Sequence, residues 1–287
     1  MLKMKNFFVF NEGFSKSKTS SYILSLQLSN IGYSYVIVDP AGSRYAAINH
    51  HNFDKKLSDK SIVEKAESML KEDLFLSKNY KNVFFSVIES KSTLVPKELF
   101  DRKQIKKYFT FNQKLDDFEE LHFNYIKNAG VYNLFAIPSD ITTLMVNKFP
   151  EIIFVHHNNV FVNDIITRAK NLKFKLPYIQ INVNLESFDI GIYKDEKLQV
   201  VNTYQFSNDN DFIYYLLNTI NQYDIKLTKA YINVSGYIEK DTEFYYFIHQ
   251  YLPKINFLKL NTGLVFNFKD VEEHFFYNLL NLHNEDY

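Results

Sequence analysis

The sequence predicts an α/β fold built from two similar halves, each with a mixed β-sheet. The stretch from Ile23 to Val38 recurs in outline from Tyr178 to Tyr193, at an offset of 155 residues (182 minus 27) when Gln27 is aligned with Asn182. In each copy an alternating apolar strand meets a short polar turn, and a second strand follows, which is the pattern of a hairpin. A repeat this long indicates a duplicated domain rather than a solenoid, whose periods are about 20 to 50 residues.

The first half continues beyond its hairpin in the order strand, helix, strand, helix, strand. The helix has Ser58 or Asp59 as its expected N-cap and one apolar stripe. We expect strands at Arg44–His50, Asn82–Ile88 and Ile152–His156, two more within Asp117–Pro138, and helices at Ser58–Leu76, Ser139–Lys148 and Val160–Lys170. Ser92–Phe100 is expected to be a loop that enters a short helix at Pro96.

The second half repeats this order. Its first helix has Ser207 or Asn208 as the expected cap. A final helix is expected to begin at Asp270, with Glu273 as a capping-box partner. The other expected elements are strands at Leu198–Tyr204, Tyr231–Val234 and Ile255–Leu260, and helices at residues 209–220 and Glu243–Tyr251. Hairpin strands followed by helical crossovers predict a mixed sheet, and Asn171 to Pro177 is the expected boundary between the halves.

Composition restricts the classes of function. Lys and Arg together number 33, as do Asp and Glu, so the formal net charge is zero. A nucleic-acid binder usually has a basic excess, because its affinity depends on neutralising phosphates; nucleic acid is therefore an unexpected partner. With no cysteine, the chain has no disulfide and no thiolate zinc site. Neither a signal peptide nor an apolar run long enough for a membrane span is evident, so we expect a cytoplasmic protein without a membrane partner.

Two copies of this order of elements resemble the actin-like ATPase superfamily. More narrowly, the chain resembles a bacterial family, domain of unknown function 3822, in LSLQLSNIGYSYVIVD from Leu24, STLVPKELF from Ser92 and the hairpin at Asn182. The resemblance implies two ribonuclease-H-like domains with mixed five-stranded sheets and no established activity. By that pattern residues 1–170 form the first domain, completed by a C-terminal helix at 270–287, and residues 171–269 form the second.

Active members of the superfamily carry an Asp-x-Gly signature in each hairpin, where Asp orients metal or water and Gly lets backbone N–H groups approach phosphate. Here Gln27 and Ser29 fall at those positions in the first copy, and Asn182 and Asn184 in the second, followed by Glu186. Amide side chains do not supply the charge that balances Mg²⁺, and Glu186 would repel phosphate. The sequence therefore disfavours ATP and Mg²⁺ as cofactors and predicts no catalytic residue.

The candidate cleft residues have both functional and structural interpretations. Ser235 and Gly236 match the superfamily's adenosine-contacting position, or form a strand-to-helix turn that needs a small residue. Asp189 matches the acid that follows the second phosphate loop, or bonds its own backbone in a turn. The polar set that could hold a neutral ligand or nucleotide is Gln27, Ser29, Asn30, Asn182, Asn184, Ser187, Asp189, Ser235 and Gly236. Neighbours in a strand point to opposite faces, so neither histidine pair, at 50–51 or at 156–157, should chelate a metal alone. Both pairs are expected at strand edges.

Two functions follow as hypotheses. The first is a non-catalytic actin-like protein that binds a protein partner or itself, because the framework is intact while the phosphate loops are substituted. The alternative is a nucleotide or small-molecule binder, a sensor that uses a degenerate cleft between the domains. The apolar segment Ser92–Phe100 either packs in the core or contacts a partner. The apolar stripe of the final helix, which includes Phe275 and Leu279, is expected to dock near the domain boundary.

Overall fold

The computed structural model describes residues 5–88, 91–172, 176–252 and 254–284. Contacts between residues divide the chain into two units. The N-terminal unit comprises Lys5–Asn159, Asn261–Asp270 and residues 279–284, and the C-terminal unit comprises Val160–Leu260 and Val271–Asn278. The domain boundaries expected at residues 170 and 269 stay predictions, and residues 173–175 of the expected boundary segment lie outside the described residues.

A six-stranded mixed sheet forms the centre of the N-terminal unit. Its strands are β1 (Phe7–Phe10), β2 (Ile23–Ser29), β3 (Gly32–Asp39), β4 (Arg44–Asn52), β5 (Asn82–Val87) and β9 (Ile153–Phe154). Their order is β1-β4-β3-β2-β5-β9. Five of these strands match the expected sheet, and β1 is added to its edge by antiparallel pairing with β4. Strand β1 was not predicted, because a four-residue apolar run shows no usable alternation.

Two helices cover one face of this sheet. They are α1 (Asp59–Glu72) and α3 (Ser139–Lys148), and their apolar side chains share a buried core with Leu24, Leu26 and Leu28 of β2. Ser58 is the N-cap of α1, since its hydroxyl accepts from the Ser61 amide. The helix ends earlier than the expected Leu76, because the Asp73 carboxyl accepts the amides of the residues two and three positions later and so forms a turn.

A three-stranded antiparallel sheet lies between β5 and α3 in the chain. It consists of β6 (Ser92–Pro96), β7 (Glu119–Ile126) and β8 (Val131–Pro138) in the order β6-β8-β7, with α2 (Ile105–Asn112) packed on it. The expected loop at Ser92 was therefore wrong: Thr93 and Val95 are buried in alternation, as in a half-buried strand. Pro96 is tolerated because it ends an edge strand.

The C-terminal unit has a five-stranded mixed sheet. Its strands are β10 (Tyr178–Val183), β11 (Ser187–Lys194), β12 (Lys197–Gln205), β13 (Tyr231–Gly236) and β14 (Asn256–Phe257), in the order β12-β11-β10-β13-β14. Its order and pairing directions match those of β4-β3-β2-β5-β9 in the other unit. The hairpins also share one irregularity, since the register shifts after Ile37 and after Ile192, which are again 155 residues apart (192 minus 37).

Helices cover both faces of this second sheet. They are α4 (His157–Asn171), α5 (Asp209–Gln222) and α6 (Glu243–Tyr251). Phe212, Leu216 and Ile248 of α5 and α6 pack against the apolar face of β10. On the opposite face α4 comes so close to β11 that a Cβ atom at Gly191 would collide with Ile165. The amide oxygen of Asn208 caps α5 by accepting from the Asp211 amide.

The C-terminal segment differs from the single helix expected from Asp270. It forms a 3-10 helix at Glu273–Phe276, then α7 (Tyr277–Asn281) and a second 3-10 helix at Leu282–Asn284. The expected capping box was wrong, because Glu273 accepts a hydrogen bond from the Leu260 amide instead, at 3.1 Å. None of the helices within the described ranges is long and apolar enough to cross a bilayer.

Burial of His283 predicts loss of stability in acid. Burial lowers the pKa of this imidazole from 6.5 to about 4. Between these two pH values the imidazole is neutral in the folded protein but protonated in the unfolded chain. Its contribution is complete above pH 6.5 and is lost as the pH falls toward 4, a change of about 3 kcal/mol in the free energy of unfolding. His283→Phe should flatten this part of the pH dependence in urea unfolding. His249→Phe, at an exposed position, should not, and equal slopes for wild type and His283→Phe would contradict the prediction.

Candidate functional site

Strand β10 has one apolar face and one polar face. Ile179, Ile181 and Val183 point into the core with α5 and α6, so the alternate residues point to the other face. These are Tyr178, Gln180 and Asn182, all buried. The candidate residues of the second hairpin therefore begin on a polar face that is shielded from water.

Five candidate residues of the C-terminal unit form one buried cluster, which we call the Asp189 cluster: Asn182, Asn184, Ser187, Asp189 and Ser235, together with Thr203. The carboxyl group of Asp189 is its centre. One oxygen accepts from the Thr203 hydroxyl at 2.6 Å, and the other from the amides of Asn182 at 3.0 Å and Asn184 at 3.4 Å. Thr203 was missed by the sequence analysis, although its strand was expected.

The other members complete the Asp189 cluster. The Ser235 hydroxyl donates to the Asn182 amide oxygen at 3.0 Å, and the Asn184 amide donates to the Ser187 hydroxyl at 3.3 Å. At the turn, the backbone N–H of Asn184 donates to the Ser187 carbonyl at 2.8 Å. A phosphate loop needs backbone N–H groups that are available to a ligand. The N–H of Asn184 already donates within the hairpin, so it is not available.

Gly236 ends β13 beside this cluster and is required by the backbone. Its φ is +83°, and a Cβ atom there would collide with the carbonyl oxygen of Val183. The amide of the next residue, Tyr237, donates to that same carbonyl at 2.7 Å. The geometry therefore provides a structural reason for glycine at this position that involves no ligand.

Gly236→Ala should lower the free energy of unfolding by about 2 kcal/mol or more, because strain at positive φ adds to the collision. Gly263→Ala is the matched control: its φ is +69°, but nothing lies within 4 Å of the new Cβ atom. Urea unfolding of both variants separates the two effects. A loss at Gly236 no larger than that at Gly263 would show that the collision relaxes at no cost.

The first hairpin has a corresponding arrangement in the N-terminal unit. Gln27 is buried and opposite Ser34 in the register of β2 and β3. The Ser29 hydroxyl donates to the Gly32 carbonyl at 3.0 Å and accepts from the Ile31 amide at 3.3 Å. Asn30 uses its carbonyl to accept from the Leu57 amide. The turn thus bonds to its own chain, as does the second one.

The two hairpins carry polar side chains at matching registers. Gln27 faces Ser34 on one side and Ser86 on the other, while Asn182 faces Asp189 and Ser235. Ser34 continues to His50 of β4, with 2.8 Å between hydroxyl and imidazole, just as Asp189 continues to Thr203 of β12. Each sheet therefore has a polar row across its central strands, and only the second row contains a carboxyl group.

A further polar network on α4 was not found from the sequence. The guanidinium of Arg168 donates to both carboxyl oxygens of Asp164, at 2.8 and 2.9 Å, and to the Tyr277 hydroxyl at 2.9 Å. That hydroxyl donates to Asp164 at 2.8 Å. Burial raises the pKa of Asp164, and the charge of Arg168 opposes that rise. The spacing of four residues between Asp164 and Arg168 could have predicted their ion pair on a helix. No sequence feature indicated that Tyr277 would join them.

The second histidine pair lies in the interior rather than at a strand edge. His156 and His157 are buried, with ring centroids 4.3 Å apart, and His157 begins α4. The expected edge location was wrong because the strand ends at Phe154. Within the described part of the chain, no group of three or more histidine or acidic side chains could hold a metal ion.

Comparisons with known proteins agree with this architecture. The family model for a protein of unknown function (DUF3822) matches residues 11–255. A Bacteroides thetaiotaomicron protein with an actin-like ATPase fold and unknown function is 21% identical, with a TM-score of 0.76 over 86% of this chain and 94% of that one. A chain of the PilM–PilN type IV pilus biogenesis complex is 10% identical, with a TM-score of 0.57 over 91% and 97%. No curated protein sequence matches. The fold predicted from the sequence is confirmed.

Proposed function

Because the chain belongs to the DUF3822 family of proteins of unknown function, we propose that it is a non-catalytic protein with an actin-like ATPase fold that acts by binding a protein partner or a second copy of itself. The proposal includes duplication of an ancestral domain and a cytoplasmic location. It rests on the residues at the hairpins, because a fold by itself does not determine a function.

The Asp189 cluster carries the proposal. A phosphate site needs amides and carboxylates directed at the ligand and its metal. Here the amides of Asn182 and Asn184 bond to Asp189, and the Ser235 hydroxyl bonds to Asn182. A nucleotide that used these groups would have to break the buried hydrogen bonds between them. Each donor or acceptor that is then left without a partner costs about 1 to 3 kcal/mol. The cluster therefore supports a role in holding β10, β11, β12 and β13 together.

A similar framework occurs in a protein that has a known partner. The structure with a TM-score of 0.57 comes from a complex named for PilM and PilN. That likeness shows a shared fold, and it supports the proposal only in that this fold is compatible with partner binding. Overall neutrality at 33 acidic and 33 basic residues favours a protein partner over nucleic acid.

Nucleotide binding tests the proposal directly. With the full chain and nucleotide at a concentration 100 times a given dissociation constant, binding would add about 2.7 kcal/mol to the free energy of unfolding. We expect no change in melting temperature with ATP or GTP and Mg²⁺, and no heat in calorimetry. Turnover of Mg-ATP that Asp189→Asn abolishes would contradict the proposal, and binding without turnover would favour the alternative of a nucleotide sensor.

A further inference from the structure

The charges of this neutral chain are distributed unevenly. Five basic residues and no acidic residue occur from Arg102 to Lys114. Four of them are exposed on α2 and on the 3-10 helix at Arg102–Gln104 that leads into it. Phe111, which is 87% exposed, lies one helical turn after Lys107. We call this surface the α2 patch: Arg102, Lys103, Lys106, Lys107 and Phe111.

The α2 patch is the outward face of a helix that is anchored by its other side. Phe109 is fully buried, in the core between α2 and the three-stranded sheet. Lys114, just after the helix, pairs with Asp116 at 2.7 Å and does not belong to the patch. An exposed phenylalanine among lysines is costly to keep in water, and such residues often belong to interaction surfaces.

A surface in the C-terminal unit likewise combines charged residues with exposed aromatic rings, but its charges are mainly acidic. We call it the α5–α6 patch: Asp209, Asp211, Glu239, Asp241 and Glu243, around the first turns of α5 and α6, with one basic residue, Lys240, among them. The two helix starts are neighbours, because the rings of Phe212 and Phe244 lie 5.2 Å apart. Tyr214 and Tyr246, each more than half exposed, follow on the same helices. Acids at helix starts are favourable locally, but that does not require exposed tyrosines beside them.

We infer that the α2 patch of one copy docks on the α5–α6 patch of a second copy. The inference rests on the proposed function and names the partner as a second molecule of this chain. Lysines meet carboxylates, which makes the two surfaces complementary in charge, and Phe111 meets exposed tyrosine rings, a residue type enriched at interfaces. Because the two patches are different surfaces, a bound pair leaves one patch of each kind open, so the contact is heterologous and further copies can add to the pair.

A second copy is favoured over other occupants by charge complementarity. The same chain carries both members of the pair, and its formal net charge is zero. Nucleic acid or an anionic membrane would use the α2 patch alone, leaving the α5–α6 patch without a role. Reversing charges in the acidic patch therefore distinguishes these occupants.

The first measurement is sedimentation velocity of the full chain over a range of concentrations. At about 50 mM salt we expect a sedimentation coefficient that rises with concentration, and at about 0.5 M salt a single monomer, since screening weakens exposed charge pairs. Lys106→Glu/Lys107→Glu and Glu239→Lys/Glu243→Lys should each raise the dissociation constant by about tenfold or more. Asp241 is left unchanged, because its φ is +64° and its carboxyl accepts from Tyr246.

The control and the rescue make the test specific. Lys226→Glu/Lys229→Glu changes the net charge equally at exposed positions outside both patches, and it should associate as wild type does. Mixing the two patch variants should restore assembly, because each reversed patch then meets an opposite charge. Melting curves check that every variant is folded.

Three outcomes overturn the inference. These are a wild-type chain that stays monomeric at low salt, association that neither patch variant weakens, and a mixture of folded variants that fails to assemble. Binding of the monomer to anionic vesicles or single-stranded RNA that Glu239→Lys/Glu243→Lys leaves intact would assign the α2 patch to another partner. Under the first three outcomes the proposed function still stands if nucleotide is not bound, because it also covers binding of a different protein, whereas Mg-ATP turnover would overturn the proposed function whatever the assembly state.

Discussion

Asp189→Ala should lower the free energy of unfolding by about 3 to 5 kcal/mol, the range found when one partner of a buried polar group is removed. The carboxyl group is completely buried and accepts from Thr203, Asn182 and Asn184. Without it, the two amides lose an acceptor within the sheet and a small cavity remains. Urea unfolding at neutral pH measures the change.

Asp189→Asn is the informative companion. Its amide oxygen would still accept from Asn182 and Asn184, while its amide nitrogen would donate to the Thr203 hydroxyl, which can rotate to accept. We therefore expect a much smaller loss than for alanine. Asp209→Ala, on the surface at the start of α5, should change stability by less than about 0.5 kcal/mol. An alanine variant as stable as wild type would show that the cluster does not hold the strands together.

Ending the chain at Lys269 should abolish cooperative unfolding of the intact fold. Within residues 270–284, the described part of the removed segment, five apolar side chains are buried: Phe276, Tyr277, Leu279, Leu280 and Leu282. Burying each is worth about 1.5 to 3 kcal/mol, so the sum is comparable to a typical total stability of about 5 to 15 kcal/mol. Calorimetry should show a broad transition far below the wild-type melting temperature, or none.

Point substitutions refine this prediction. Leu280→Ala should cost about 2 to 5 kcal/mol, since Leu280 is fully buried. Its carbonyl also accepts from the buried Tyr45 hydroxyl at 2.9 Å, a bond that the substitution leaves in place. Val265→Ala, at an exposed position shortly before the removed segment, is the control and should be nearly neutral. A shortened chain that melts like wild type would mean that the segment is an appendage.

The sequence predicted the two sheets well because their strands alternate regularly. Alternation at Leu24, Leu26 and Leu28 gave β2 and its core face, and the repeat then gave β10 in the same register. The expected loop from Ser92 was wrong, although the short helix expected at Pro96 is present as a 3-10 helix at Lys97–Leu99. Strand β6 becomes recognisable only through its partner β8, and such pairing is not visible in a local pattern.

The candidate site was only partly predictable. Residue identities at the hairpins indicated that Asp and Gly positions of the phosphate loops were substituted. They did not indicate that Asn182 and Asn184 would share one acceptor, Asp189, or that Thr203 would join them from β12. The network of Asp164, Arg168 and Tyr277 escaped for the same reason. Contacts over more than 100 residues are fixed by tertiary packing, which sequence periodicity does not encode.

The buried tyrosine hydroxyls give the protein an intrinsic optical signal for alkaline unfolding. The chain has 21 tyrosines and no tryptophan. Burial, with Asp73 nearby, raises the pKa of Tyr33 to about 12 and that of Tyr35 further, and burial likewise raises the pKa of Tyr178 and Tyr277. Their stabilising effect is complete below pH 10 and is lost as the pH rises above that value, where unfolded tyrosines ionise. Phenolate absorbance should therefore rise in two stages, first from exposed rings and then, cooperatively, as each unit opens.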